Sequence, residues 1–384
     1  FTAVVENIVV FSRSDQFTVN LLPRTEEADA RYANPDGDPR GPWKAASFLN
    51  PATPAQRPSL CYEIRNPNTG QVTRPTVHAW RRTRAEFDRL AADDLLYWGA
   101  DGRSPVPSVK MFLSEVRGLT PTNFWSHEYA GHTDEGTRDL AGLIGGKVFD
   151  NPKPVKLMKR VLEHATDGSS LVLDFFAGTG TMAQAVLELN AEDGGSRRFI
   201  AVQVPEECPS GSAASKAGFA TIADICKERI RRAGAAAGRG AGRHPRWDGD
   251  TGFRVLRVDS TNMTDVCRLP DRVAQEDLAS LTETVKRERT AEDVLFEVLI
   301  GCGVDLSAPI AVEKIDGREA FLVDGGGLIA CLARDVSPAV VLGIAERAPS
   351  RAVFLDSGFA TDADRISVER TFARLSPATE VRVI

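Results

Sequence analysis

Residues 171–189 read LVLDFFAGTGTMAQAVLEL: an apolar run meets one carboxylate, Asp174, and then two glycines one residue apart, Gly178 and Gly180. Glycines in such a place let the chain turn tightly and bring its backbone close to a ligand. With Ala183 the string fits G-x-G-x-x-A, the pattern of a dinucleotide-binding turn. The acid argues against that ligand. A pyrophosphate would rest on the N-terminus of the following helix, and a carboxylate ending the preceding strand repels it at close range. S-adenosylmethionine has no phosphate; it carries a sulfonium and an α-ammonium, which an acid attracts. The spacing favours a methyl donor over a nicotinamide, and an ordinary strand–turn–helix joint also fits. Asp174 has a second reading as a cap for the helix starting at Thr179–Thr181.

The elements that must hold this turn are legible. Leu171, Val172, Leu173, Phe175 and Phe176 predict a strand buried on both faces. Met182, Ala185, Val186 and Leu189 recur at helical spacing behind it. Ahead of it, DNPKPVKLMKRVLEHA places Pro154 at a helix start, with Leu157, Met158, Val161 and Leu162 along one face. RRFIAVQVPEE (197–207) predicts a second buried strand, Phe199 to Val204. Strand, helix and strand in that order make a parallel α/β unit.

The chain has 384 residues, enough for two or three domains. Its 42% hydrophobic and 26% charged content is that of an ordinary globular protein. No apolar stretch approaches the roughly 20 residues of a membrane helix, and FTAVVENIVVFSRS lacks the basic start of a signal peptide. That opening predicts a strand already under way, so the chain is expected to begin mid-domain. Six scattered cysteines without a C-x-x-C argue against zinc and disulfides and suit a reducing cytoplasm. The five histidines (78, 127, 132, 164, 244) are scattered too, and none is assigned a metal.

From about 20 to 123 the texture turns to Pro, Gly, Arg and Trp, predicting short strands and loops with one helix near 84–92. A net charge of −6 gives no global sign of nucleic acid, so charge has to be read locally. Arg81, Arg82 and Arg84 beside Trp80 suit contacts to phosphate or guanine edges. The segment 221–246 predicts an amphipathic helix running out into a flexible Gly/Ala/Arg loop, with seven Lys/Arg against Glu228 between 227 and 246. That loop is either solvated or in contact with phosphate. Beyond it GFRVLRVD, EAFLVD, GLIACLA and AVFLD predict strands, and helices fall near 274–301 and 337–347.

With these segments in place, the chain resembles the C-terminal half of a type III restriction–modification modification subunit, a family of β-class adenine-N6 DNA methyltransferases. FDNPKPVKLMKRVL (149–162) is similar to the family's tenth motif, VLDFFAGTGTMAQAV (172–186) to its first and FIAVQVPEE (199–207) to its second. ENIVVFSRS (6–14) resembles the last strand of the catalytic region. DGDPRGPW (36–43) and the stretch 73–84 resemble the target-recognition domain, and GFRVLRVDSTN with AVFLDSGFATDADRISVERTF the C-terminal domain. The resemblance implies a Rossmann-like α/β methyltransferase fold in permuted order, with a recognition domain inserted and a C-terminal α/β domain. The implied boundaries are 1–19 for the end of the catalytic core, 20–123 for recognition, 124–248 for donor binding and 249–384 for the C-terminal domain.

It further implies S-adenosylmethionine as cofactor, with Asp174, Phe175, Ala177, Gly178, Gly180, Lys153, Pro154 and Gln203 lining it. Phe175 or Phe176 would pack on the adenine, with core packing expected for at least one of them. Gln203 stands where relatives carry an acid for the ribose, and the Glu206–Glu207 pair follows it. The implied partners are double-stranded DNA, a second modification subunit and a helicase-nuclease restriction subunit. The family's catalytic D-P-P-Y is not found in the 384 residues. A catalytically silent DNA-recognition and assembly module is the other reading, and a nicotinamide enzyme the third.

Overall fold

The computed structural model describes residues 5–240, 242–264 and 285–384. It divides into two units, one ending at Gly252 and one starting at Phe253.

In the first unit the Pro- and Gly-rich stretch folds around short strands, as its turn residues predict. Its elements are α1 (Glu26–Asp29), β1 (Trp43–Ser47), β2 (Ile64–Arg65), β3 (Val72–Thr73), α2 (Arg84–Ala92), β4 (Leu96–Tyr97) and β5 (Ser108–Phe112). β5 lies between β1 and β4 in an antiparallel sheet, and β2 with β3 forms a separate hairpin. Thr83 and Glu86 close a reciprocal capping box on α2, turning Phe87 and Leu90 inward. Those two join Phe48, Ile64, Trp80, Leu96, Trp98 and Val109 in one core. The loop DGDPRGPW is tied down by buried Lys110, whose Nζ lies 2.7 Å from Asp36 and 2.8 Å from Asp38. Hydrogen bonds from Arg40, then Lys110, hold the Asp38 carboxyl well below the usual carboxylate range.

The unit continues with α3 (His127–Ala130), α4 (Thr133–Ile144), α5 (Val155–Ala165), β6 (Leu171–Asp174), α6 (Thr181–Asp193), β7 (Arg198–Ala201), α7 (Ala213–Lys216) and α8 (Ile222–Arg239). β6 and β7 run parallel, Leu171 opposite Arg198 and Asp174 opposite Ala201, with α6 as their crossover. α6 packs against both α5 and α8 and is buried almost all round. Val172 and Phe199 meet α5 and α6 through Val155, Leu162, Ala185, Val186 and Leu189.

Three expectations fail here. β6 is covered on one face only: Leu171 is 54% and Leu173 57% exposed, and Ile200 and Val202 beside them are exposed too. Among the described residues the sheet has just two strands and its helices lie on one side, so the alternate side chains have no layer above them. The opening ENIVVFSRS is not a strand, because residues 5–11 find no pairing partner among the described residues and stay exposed. The Gly/Ala/Arg stretch is helical up to Arg239, since alanine and arginine are strong helix formers and Thr221 with Asp224 caps the start. Gly234 suits that helix for a packing reason: a Cβ there would lie 2.9 Å from Thr251 Cβ.

The second unit holds α9 (Ala291–Gly301), β8 (Ile310–Ile315), β9 (Arg318–Val323), β10 (Leu328–Cys331), α10 (Pro338–Ala345), β11 (Arg351–Phe354), α11 (Asp362–Leu375) and β12 (Glu380–Val383). The sheet order is β12-β11-β10-β9-β8, parallel through β12, β11 and β10 and antiparallel beyond. β10 at its centre is buried at every residue, which explains the unbroken LIAC. GFRVLRVD is not a strand: Val255, Leu256 and Val258 are exposed, and Arg254 instead bonds the carbonyls of Leu306 and Ala308. Of the helix expected near 274–301, residues 274–284 lie outside the described residues and α9 begins at Ala291.

Candidate functional site

The turn after β6 is built as its glycines require. Gly178 has φ +53° and Gly180 φ +81°, both left-handed. Gly180 also has no room for a side chain, because a Cβ would sit 2.8 Å from Cys226 Sγ on α8. Ala177 is buried and its amide donates to Val202 O at 3.1 Å, which fastens the turn to the end of β7. The Gly178 amide donates to Gln203 Oε1 at 2.7 Å, and Gln203 Nε2 donates to Val204 O at 3.1 Å. Gln203 thus braces the glycine turn, a role that its position after a strand does not reveal.

Asp174 is half-buried at the end of β6, and its carboxylate accepts the Phe176 amide at 3.3 Å. It does not cap α6: the N-cap there is Gly180, with no side-chain bond. One carboxylate therefore stands at a strand end beside a left-handed glycine turn. Phe175 and Phe176 were expected to place at least one ring in the core, and neither is there; they are 62% and 85% exposed. Their rings lie 5.2 Å apart beside the uncovered face of β6 and β7.

Pro154 is buried as the N-cap of α5, in contact with α4. Gly136 makes that contact possible, since a Cβ there would fall 2.2 Å from Pro152 O. Lys153 is exposed and forms an ion pair with Glu6 at 2.9 Å. Glu206 and Glu207 are exposed.

One residue that sequence reasoning passed over organises the turn from below. Arg229 of α8 is completely buried. Its Nε donates to Gln184 Oε1 at 2.7 Å, and its Nη1 donates to Thr179 Oγ1 at 2.9 Å and Thr181 Oγ1 at 2.7 Å. No ion pair joins this guanidinium to an acid among the described residues, and burial lowers its pKa to about 10. Three side chains at the head of α6 therefore hang on one cation. The signal was present as a charge on the apolar side of an amphipathic helix, four residues after Ile225.

The expected DNA residues divide. Trp80 is a correction: it is 1% exposed, and its indole N–H donates to Tyr62 O at 2.7 Å, so it is core and cannot meet a base. Arg84 is committed to Asp88 at 3.0 Å and Glu63 O at 3.0 Å. Arg81 and Arg82 remain exposed; Arg82 lies 3.7 Å from Glu86. In the basic run, Lys227 pairs with Asp224 and Arg231 and Arg232 with Glu228, and Arg229 is buried, so much of its charge is either paired or withdrawn from the surface. Arg239, Arg243 and Arg246 lie beyond those pairs. Among the described residues no group of three or more His, Cys, Asp or Glu is placed to hold a metal ion, and no helix is long and apolar enough to cross a membrane.

The chain belongs to the DNA methylase family: the model of that family, of N6 and N4 methyltransferases, matches residues 1–212. It is 34% identical over 256 residues to the type III restriction–modification enzyme StyLTI Mod subunit of Salmonella typhimurium, covering 66% of this chain and 37% of that protein. It is 36% identical over 152 residues to the EcoPI Mod subunit of Escherichia phage P1, covering 39% and 23%. With the EcoP15I Mod subunit of Escherichia coli the identity is 27% over 306 residues, covering 77% and 42%. The chain thus spans well under half the length of these relatives.

Proposed function

We propose that this chain is the donor-binding and DNA-reading portion of a site-specific adenine-N6 DNA methyltransferase that uses S-adenosylmethionine in a restriction–modification system. The observation that carries the reading is Asp174, a half-buried acid at a strand end beside a left-handed glycine turn whose Gly178 is partly exposed, in a chain of the DNA methylase family. Bound there, the donor supplies a methyl group on a sulfonium. Asp174 holds the donor's positive methionine end, Gly178 leaves room for it, and Gly180 lets the turn pack closely on α8. Lys153 leaves its exposed partner Glu6 for the donor's carboxylate, an exchange of weak surface pairs. The exposed rings of Phe175 and Phe176 offer faces for the adenine, and Gln203 keeps the turn in shape while its oxygen retains a lone pair for a ribose hydroxyl.

Among the described residues β6 and β7 each have one edge unpaired and share an uncovered face, which fits membership of a larger sheet of permuted Rossmann-like order with a further layer over it. In this reading residues 1–19 end the catalytic core, 20–123 form an inserted recognition domain, 124–248 bind the donor and 249–384 form the C-terminal domain. Arg81 and Arg82 contact DNA. The whole protein pairs with a restriction subunit, which fits the naming of its relatives as Mod subunits of restriction–modification enzymes, and with a second modification subunit.

Equilibrium dialysis with labelled S-adenosylmethionine tests the reading. Asp174→Asn is expected to weaken binding about 10- to 150-fold, the loss of one charge-assisted contact of roughly 1.5–3 kcal/mol. Equal affinities remove Asp174 from the site, and tighter binding of NAD than of S-adenosylmethionine overturns the choice of ligand.

A further inference from the structure

We propose that the chain reads duplex DNA on one basic face made by residues 48–82, with Arg57, Arg65, Arg74 and Arg81 as its contacts. The inference rests on the DNA-methyltransferase reading above and specifies where on the molecule the DNA lies.

Charge in this region is segregated. Residues 48–82 contain five arginines (57, 65, 74, 81, 82) against the single acid Glu63, a net +4. The flanks do not share this: 20–47 holds four basic and five acidic residues, and 83–123 holds five and six. A merely solvated surface has no reason to collect its cations in one stretch.

The structure brings these arginines onto adjoining segments and holds the backbone beneath them. The Asn50 amide donates to Ala79 O at 2.8 Å, Ala79 to Ala52 O at 2.9 Å, Trp80 to Leu60 O at 3.0 Å and Arg81 to Phe48 O at 2.8 Å. The loop bearing Arg57 is therefore stitched to the strand-like stretch bearing Arg81, and both stand on the Trp80 core. The β2–β3 hairpin adds Arg65 opposite Val72. Ile64 points into the core, so Arg65 and Val72, paired across the hairpin, face outward, and exposed Arg74 follows directly after β3.

The heads are available. All four are exposed, and none forms an ion pair among the described residues. Arg65 has only a 3.5 Å bond to Gly70 O, and Arg81 only one from Nε to Leu49 O at 3.3 Å, so both Arg81 Nη groups are without a hydrogen-bond partner among the described residues. Planar guanidinium forks on a fixed backbone match phosphate oxygens and guanine edges. The stretch 239–246 differs, being largely glycine and alanine between its arginines.

Fluorescence anisotropy of the chain with a 30-base-pair duplex, titrated across salt concentrations, tests this. Arg57→Ala, Arg65→Ala, Arg74→Ala and Arg81→Ala, all at exposed positions, are each expected to reduce the slope of log affinity against log salt by about one where the arginine meets a phosphate. The quadruple variant should lower the slope by about the sum of the single losses, Arg82 keeping its share, whereas Arg31→Ala, outside the face, should leave it unchanged. Selection from a randomised duplex pool should show relaxed preference for any variant whose arginine meets a base edge. If the unmodified chain binds duplex and the quadruple variant binds equally well with the same slope, this face is not the interface although the DNA reading stands. If the unmodified chain binds no duplex, the reading beneath this proposal fails and the proposal falls with it.

Discussion

Gly180→Ala separates two physical reasons for a glycine at the turn after β6. The backbone there is left-handed, φ +81° and ψ +30°, which costs a residue bearing a Cβ about 1–2 kcal/mol. The new methyl would also lie 2.8 Å from Cys226 Sγ and 3.5 Å from Ile230 Cγ1, in a packed bed, adding about 1–3 kcal/mol of overpacking. Alanine restricts the unfolded chain and returns about 0.4–1 kcal/mol. The net expectation is a loss of about 1–4.5 kcal/mol. Gly178→Ala meets the left-handed penalty alone, because the nearest atom is Phe176 O at 3.9 Å, and should cost about 0–1.5 kcal/mol. Cys226→Ala removes the atom in the way, so in that background Gly180→Ala should fall to the Gly178→Ala level. Urea unfolding followed by tryptophan fluorescence measures all four variants. Every tryptophan (43, 80, 98, 125, 247) precedes Gly252, so the signal reports the unit that contains the turn. Equal losses at the two glycines, or no relief from Cys226→Ala, would refute the crowding argument.

Two further outcomes follow from buried groups. Arg229→Leu should destabilise the first unit by roughly 1–3 kcal/mol, because Gln184 Oε1 is left buried without its donor, and should weaken donor binding as the head of α6 loosens; unfolding and dialysis on one sample check both. His164 is buried against Trp125, its ring nitrogens meet no hydrogen-bond partner among the described residues, and burial lowers its pKa from 6.5. The unfolded chain then binds the proton more readily, so stability is complete above about pH 6.5 and is lost as pH falls through the lower folded value. Relative to His164→Gln, the unaltered protein should lose stability between pH 7 and 5, and parallel curves would refute the assignment.

What could be read in advance followed from local constraint. Gly178 and Gly180 announce a turn that other residues cannot make, and Thr83 with Glu86 announces the start of α2. What escaped depended on partners remote in sequence. Trp80 beside three arginines has the composition of a nucleic-acid contact, yet its ring is held by Phe48 and Tyr62 from other segments. Arg229 lies 48 residues after Thr181, and its role exists only once α8 packs on α6. LVLDFF reads as a doubly buried strand, but burial needs a layer on both sides, and the described residues supply one. GFRVLRVD has the apolar content of a strand and still does not form one, because a suitable surface does not by itself provide a strand to pair with.

A methyl donor held at the turn between Asp174 and Gly180 must disturb that turn's own amides, which amide NMR of the chain titrated with S-adenosylmethionine reads out. The amide signals of Phe176, Gly178 and Gly180 are expected to shift saturably with S-adenosylmethionine and to stay in place with NAD at the same concentrations. Shifts confined to other parts of the molecule, or a response of these amides to NAD instead, would contradict donor binding at this turn.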